Sequence, residues 1–324
     1  MATILDPPPK KVAARLLKLR SLLDEAIPPK RLDDNLLVAT WNIRAFGDLT
    51  EKWEAQEGDS PKRDLQSLLF IDEIVSRFDV IAIQEVRGNI KSLRHLLKRL
   101  GPDWSLILTD VTVGARGNDE RMAYVFDTRR VKLSGLACEV VVPEEWINDS
   151  SPDVLRRQFA RTPYAISLAT GRETLILVTL HVVYGESASD RTDELRGIAR
   201  WLADWAKRED SWGHNLIVLG DLNIDRQGDP NYEAFTSTGL RPPKELEDVP
   251  RTIFDSGKDK YYDQIAWFCE PGDVPLMSLL YEGRAGFFDF VDAIPSPDKE
   301  AQSWKISDHY PLWAEFRLPR DVAR

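Results

Sequence analysis

Residues 215–223, NLIVLGDLN, consist of an apolar run followed by polar residues, and this pattern indicates a buried strand that ends at a polar site. A run that is apolar almost throughout is typical of a strand covered on both faces. Similar runs, rich in β-branched and aromatic residues, occur at 36–43, 79–85, 122–127, 163–169, 173–183, 261–268 and 310–317. Helical patterns lie between them at about 62–77, 89–100 and 190–208. The alternation predicts a layered α/β domain over about 35–318, with strands inside and helices outside.

An amphipathic helix is predicted before the first strand. Apolar residues recur at spacings of three and four between Val12 and Ile27, and Pro28-Pro29 ends the pattern. We expect residues 1–34 to form an N-terminal helical extension that packs on the main domain, 35–324.

The composition excludes several classes of protein. Of 324 residues, 43% are hydrophobic, enough for a sizeable core, and no apolar run approaches the ~18–20 residues of a membrane span. Two cysteines and no apolar leader exclude a disulfide scaffold or zinc finger and predict a cytoplasmic protein. The net charge of −10 argues against binding nucleic acid by bulk charge, although a local basic groove stays open.

Polar side chains stand where the apolar runs end. Taken singly, such residues are most often turns or caps. Taken together they form a candidate site, because ligands in layered α/β proteins gather at strand ends. The set consists of Asn42, Glu85, His181, Asp221, Asn223, Asp263, Asp308 and His309.

These residue types suit one kind of chemistry. Carboxylate and amide oxygens are ligands for Mg²⁺, Mn²⁺ or Ca²⁺ rather than zinc. A histidine beside a carboxylate serves as a general acid or base. The sequence has no GxSxG, P-loop or GxGxxG motif. We therefore predict metal-assisted attack of water on a phosphorus ester.

The motifs also resemble a known family. TWNIRAFG, VIAIQEVR, ERMAYVFD, FARTPYAISL, VTLHVV, VLGDLNID, YYDQIAW and KISDHYP occur in the order seen in the endonuclease/exonuclease/phosphatase superfamily, closest to its deoxyribonuclease I-like bacterial members. The resemblance covers most of 36–317. It implies a DNase I-like fold, a four-layer α/β sandwich of two packed mixed β-sheets flanked by helices, and makes 35–324 the catalytic domain.

The resemblance also implies roles for the site residues. Asn42, Glu85 and Asp308 would surround Mg²⁺, with Mn²⁺ or Ca²⁺ as substitutes, and Asp221 and Asn223 would contact the scissile phosphate.

Two carboxylate–imidazole pairs would handle the protons. His309, held by Asp263, would orient or deprotonate the attacking water. His181, partnered by Glu120, would assist the leaving oxygen, and Arg161 would brace the phosphate.

For the substrate, the leading hypothesis is a nuclease acting on nucleic acid, DNA before RNA, with no membrane span and no obligate protein partner. Arg44 and Arg87 match positions that face the nucleic acid in such enzymes. The alternative is a phosphatase or phosphodiesterase for nucleotides, phosphoinositides or another small or lipid phosphate, and a third hypothesis is a binding protein with an inactive site. Compared with deoxyribonuclease I, the N-terminal helix and the loops at 47–61 and 143–160 are extra, and each of them is a candidate to narrow the cleft.

Overall fold

The computed structural model describes residues 2–112, 118–142, 144, 159–185, 189–207, 215–254, 260–294 and 296–319. Within these ranges, no helix is both long and apolar enough to cross a membrane.

The first sheet brings together strands from both ends of the chain. It is formed by β1 (Asn35–Phe46), β2 (Val80–Arg87), β3 (Trp104–Leu108), β4 (Glu120–Asp127), β12 (Leu280–Phe287) and β13 (Leu312–Arg317). Their order is β12-β13-β1-β2-β4-β3. Only β1 and β2 pair in parallel here, and the other described pairs are antiparallel.

The second sheet repeats this plan. It is formed by β5 (Lys132–Glu139), β6 (Tyr164–Thr170), β7 (Glu173–His181), β8 (Asn215–Asp221), β9 (Leu240–Arg241), β10 (Asp263–Glu270) and β11 (Val274–Pro275). Their order is β11-β10-β8-β7-β6-β5, with the short β9 also paired to β10. Again one described central pair, β7 with β8, is parallel.

Helices cover the outer faces of both sheets. They are α1 (Lys10–Ala26), α2 (Leu65–Val75), α3 (Lys91–Leu100), α4 (Ser189–Lys207), α5 (Pro230–Thr236) and α6 (Lys299–Lys305). The three long helices predicted in the main domain are present, with ends shifted by at most three residues. α1 buries Val12, Leu16, Leu19 and Leu23, the predicted apolar face, and packs against α2.

The period-two alternation of β1 explains the layers. Leu36 and Val38 point into a core shared with Ile217 and Leu219 of the second sheet. Leu37, Ala39 and Trp41 point to the opposite face, into a core shared with α1, α2 and α3. A third core joins the second sheet to α4 and α5. The layers are therefore helix, sheet, sheet, helix, which confirms the predicted four-layer sandwich.

Candidate active site

The central parallel pairs place the candidate residues at one edge of the sandwich. Asn42 and Glu85 lie near the carboxyl ends of β1 and β2, and His181 and Asp221 end β7 and β8. The antiparallel neighbours β4 and β10 begin at this same edge, with Glu120 and Asp263 as their first residues, and Asp308-His309 precede β13.

An irregular stretch of backbone aims Glu85 at the site. Glu85 has φ +59° and Ala45 has φ +46°, and the β1–β2 register shifts between Asn42 and Phe46. A positive φ is costly for residues other than glycine and is kept where the surroundings enforce it. Here it lets the Glu85 carboxylate accept the Ala45 N–H at 2.9 Å and the Asn42 Nδ2–H at 3.2 Å.

Asn42 joins the two sheets. Its Nδ2 also donates to Asp221 Oδ2 at 2.9 Å, a buried contact between the ends of β1 and β8. Asp221 Oδ1 accepts the Asn223 N–H at 2.9 Å, and the Asn223 side-chain amide donates to the carbonyl of Val182.

Gly220 allows the backbone of β8 to lie close to that of β7 just before Asp221. It has φ +139°, and a Cβ added to it would come within 2.1 Å of the Leu180 carbonyl oxygen. Only glycine fits immediately before Asp221.

His181 lies between two carboxylates. Its Nδ1 is 3.0 Å from Glu120 Oε2, and its Nε2 is 3.6 Å from Asp221 Oδ2. Arg161 Nε is also 3.0 Å from Glu120 Oε2, so the buried Glu120 faces both the histidine and the guanidinium. The carboxylate of Glu120 therefore lies beside Nδ1, and that of Asp221 lies on the Nε2 side.

His309 forms the second pair. Its Nδ1 is 2.6 Å from Oδ2 of the fully buried Asp263. Burial alone would lower the pKa of His309, but the Asp263 carboxylate raises that pKa well above its usual value. With Nδ1 committed to Asp263, Nε2 is the atom left to meet water or phosphate.

Glu85 stays ionised among these groups. Burial would raise the pKa of Glu85, but His181, the Ala45 N–H and His309 together hold that pKa below its usual value. An ionised carboxylate at this position attracts a cation.

The oxygen atoms here fit a hard divalent cation. Asn42 Oδ1 and Asp308 Oδ1 are buried without a hydrogen-bond partner, an arrangement that is costly unless another group satisfies them. In the described ranges, no three His, Cys, Asp or Glu side chains converge as a ready metal cluster. Mg²⁺ takes only one or two protein carboxylates besides water and phosphate oxygens, so Glu85, Asn42 and Asp308 suit it.

The two arginines predicted to face the nucleic acid, Arg44 and Arg87, both have protein partners. Arg44 lies over the ring of Trp304 at 3.8 Å and is 4.0 Å from Asp308 Oδ2. Arg87 is 3.3 Å from Glu120 and 3.7 Å from Glu85. Both guanidiniums therefore lie beside the site residues, and their roles in binding substrate stay predictions.

Sequence reasoning missed the residues that hold the site together. Ser307 donates to the Asn42 carbonyl at 2.6 Å and accepts the backbone N–H groups of Arg44 and His309, each at 3.1 Å. The one feature of the sequence that could have identified Ser307 as part of the site is its position directly before Asp308 and His309.

Arg63 and Gln84 had no local signal at all. The buried Arg63 guanidinium donates to four carbonyl groups, those of Arg44, Ala45, Lys305 and Ile306. Gln84 donates from β2 to Thr179 of β7 at 2.9 Å, inside the sandwich. Tyr124 of β4 is fully buried, and its hydroxyl lies 3.0 Å from two backbone carbonyl oxygens.

The predicted loop at 143–160 falls mostly outside the described residues, since the structure describes only 144, 159 and 160 of it. The 47–61 insertion is described, and its Trp53 is partly buried against the core of the first sheet.

Comparison with known proteins gives two curated relatives over most of the chain. A deoxyribonuclease from Thioalkalivibrio sp. (strain K90mix) is 26% identical over 310 residues, which cover 91% of this chain and 74% of that protein. Deoxyribonuclease-1 from Bos taurus is 25% identical over 289 residues, which cover 86% and 91%.

Solved structures share the fold at lower identity. A mannosyl-6-phosphatase from Bacteroides thetaiotaomicron has a TM-score of 0.58 at 18% identity, covering 87% of this chain and 99% of that one. D. rerio TDP2 complexed with single strand DNA product has a TM-score of 0.55 at 13% identity, covering 88% and 99%.

The resemblance seen in the sequence is confirmed by a family model, Endonuclease/Exonuclease/phosphatase family, that matches residues 39–309. Members of this family hydrolyse phosphoric esters. Since the match runs from β1 to the histidine before β13, this chain belongs to the endonuclease/exonuclease/phosphatase family.

Proposed function

We propose that this protein is a divalent-metal-dependent phosphodiesterase that hydrolyses nucleic acid, DNA first, with activated water. The observation that carries the proposal is the pairing of two histidines with buried carboxylates at the edge of the sandwich where Asn42 contacts Asp221. The deoxyribonuclease names of the curated relatives support DNA as the polymer.

The two pairs divide the proton transfers. In-line displacement needs proton removal from water and proton delivery to the leaving oxygen on opposite faces of the phosphate. His309 takes the proton from water through Nε2, because Asp263 holds Nδ1 and stabilises the imidazolium that forms. His181, oriented by Glu120, delivers a proton to the leaving oxygen.

The remaining residues bind the phosphate and the cation. Glu85, Asn42 and Asp308 would hold Mg²⁺, for which Mn²⁺ or Ca²⁺ can substitute, and the ion supplies positive charge to the phosphate when bound. Asn223 has a second amide N–H besides the one given to Val182, and Arg161 adds a planar donor.

One observation favours the alternative, a phosphatase or phosphodiesterase for nucleotides, phosphoinositides or another small or lipid phosphate. Arg44 and Arg87 lie against carboxylates, which weakens the positive charge offered to a long polyanion. A small phosphate ester needs no such charge outside the site.

A direct assay separates the two. Supercoiled plasmid, RNA and mononucleotides are incubated with the protein in Mg²⁺ and in EDTA. Nicked or linear plasmid in Mg²⁺ alone, without phosphate release from mononucleotides, is the expected result. Phosphate release without cleavage of either polymer would favour the alternative.

A further inference from the structure

In the part of the chain that the structure describes, the large exposed aromatic side chains lie in segments next to the candidate site. Among the residues that the structure describes, large aromatic rings are more than a third exposed at three positions: Tyr184 (53%), Phe254 (51%) and Trp304 (44%). Exposed aromatic rings beside a candidate site are typical of a binding surface.

Each of the three rings is connected to a site residue, either by closeness in sequence or through a hydrogen bond of its neighbour. Tyr184 follows His181 by three residues. Phe254 follows Ile253, whose N–H donates to the Asp308 carbonyl at 2.8 Å. Trp304 lies in α6, directly before the loop of Asp308 and His309, and contacts Arg44.

One of these rings is linked to the reacting centre through a second tyrosine. The Tyr184 and Tyr262 rings meet edge to face, 6.4 Å apart at 79°. The Tyr262 ring is in turn 5.8 Å from the His309 ring, at an angle of 31°. An aromatic surface therefore extends from exposed Tyr184 to the histidine proposed to activate water.

Cations accompany this surface. Arg191 Cζ lies 4.8 Å from the Tyr184 ring centre, and Lys260 Nζ lies 5.4 Å from that of Tyr262. Both cations also contact Asp225, so two positive charges face one negative charge. Arg191 is only 2% exposed and its charge is balanced by Asp225, so Lys260, whose side chain is 38% exposed, is the cation placed to meet a phosphate.

Rings with adjacent cations are the combination that binds single-stranded nucleic acid, where bases stack on the rings and phosphates meet the cations. A duplex cannot use such a surface, because its base faces are covered by their neighbours and exposing one costs a few kcal/mol.

We propose that Tyr184 and Tyr262 form a nucleobase-stacking subsite beside the scissile phosphate. It accepts an unpaired base and directs the protein to single-stranded or locally unpaired nucleic acid. This inference rests on the proposed nuclease function and adds the class of substrate.

A binding measurement without turnover tests the subsite. Fluorescence anisotropy in EDTA compares a labelled single strand of about twelve nucleotides with an abasic strand of equal length, which has the same backbone but no bases. Stacking is worth about 1–3 kcal/mol per base, so Tyr184→Ala should weaken binding of the base-containing strand about tenfold. Binding of the abasic strand should change much less.

Two control variants make the result specific. Tyr184→Phe keeps the ring and should retain tight binding of the base-containing strand. Leu133→Ala removes an exposed apolar side chain from β5, on a strand that carries no site residue, and should leave both affinities unchanged. If Tyr184→Ala weakens binding of the base-containing strand and the abasic strand equally, or weakens neither, the proposed subsite is overturned.

Cleavage assays separate this inference from the function beneath it. On single-stranded DNA, Tyr184→Ala should raise KM more than on a duplex of the same sequence. A wild type that hydrolyses a nitrophenyl phosphodiester but no polymer would refute the nuclease function. If Tyr184→Ala loses activity on sugar phosphates but keeps it on single-stranded DNA, the rings bind a sugar, and the nucleobase assignment is overturned.

Discussion

The side-chain amide of Asn42 lies 2.9 Å from Asp221 Oδ2, and this hydrogen bond joins the functional ends of the two sheets. An amide fits because its N–H₂ donates to Asp221 and to Glu85 at the same time. Its oxygen is left for a cation.

A carboxylate at position 42 should therefore be harmful, although it is a good metal ligand. Asn42→Asp places a third negative charge beside Asp221 and Glu85, and like charges this close repel strongly. We expect a lower Tm in EDTA and at least ~10-fold lower activity, with both defects smaller at high Mg²⁺. Asn89→Asp, at an exposed position, is the matched control. An unchanged Tm in EDTA would contradict the prediction.

Loss of either histidine should remove one proton transfer. His309→Ala and His181→Ala should each lower kcat by at least ~100-fold with folding intact. Since both serve one transition state, the double variant should lose less than the product of the single losses.

A substrate with a nitrophenolate leaving group distinguishes the two histidines, because this group departs without a proton. It should rescue His181→Ala more than His309→Ala in steady-state assays. Preferential rescue of His309→Ala would reverse the assignment of acid and base.

Removal of the cation should abolish activity. Chelation with EDTA is expected to stop hydrolysis, and Mg²⁺ or Mn²⁺ to restore it, because the ligand set contains only oxygen. Glu85→Ala should raise the Mg²⁺ concentration for half-maximal activity, whereas Glu25→Ala on the exposed face of α1 should not. Full activity after exhaustive chelation would end this interpretation.

The two arginines should differ in their effects. Arg87 contacts Glu120, which also faces His181, so Arg87→Ala should slow hydrolysis of a small phosphodiester and of DNA alike. Arg44 lies on the exposed Trp304, and Arg44→Ala should lower activity more on DNA than on the small ester. Added salt should narrow that difference, since contacts to a polyanion weaken with salt. An equal loss on both substrates for Arg44→Ala would place Arg44 in the catalytic step.

Asp72 should make stability depend on pH. Burial raises the pKa of Asp72 to about 7, although Arg99 at 3.4 Å opposes the shift. The folded state then binds a proton more tightly than the unfolded state, so the contribution of this group to stability falls as pH rises from about 4 to about 7. Asp72→Asn should therefore stabilise the protein more at pH 8 than at pH 5.

Urea unfolding at the two pH values measures this difference, with the exposed Asp292→Asn as the control. A larger gain at pH 5 would contradict the expected sign.

The sequence predicted the layers and the candidate residues because both have local signatures. The strand patterns and the polar residues that end them are readable within a few positions, as in 215–223. The contacts that orient those residues are not local. Arg63 binds carbonyls 242 and 243 residues away, and the positive φ of Glu85 depends on the β1–β2 irregularity. The exposure of Tyr184 likewise depends on which segments surround it in space.

The position of β13 between β12 and β1 in the first sheet bears on how the protein is made. The strand pairs with β1, Asn35 opposite Arg317, and the preceding loop delivers Asp308 and His309. A ribosome-bound chain that ends before residue 308 has every other candidate residue but neither of these. If Asp308 and His309 have their proposed roles, hydrolysis awaits this segment, and we expect copies that end before residue 308 to be inactive.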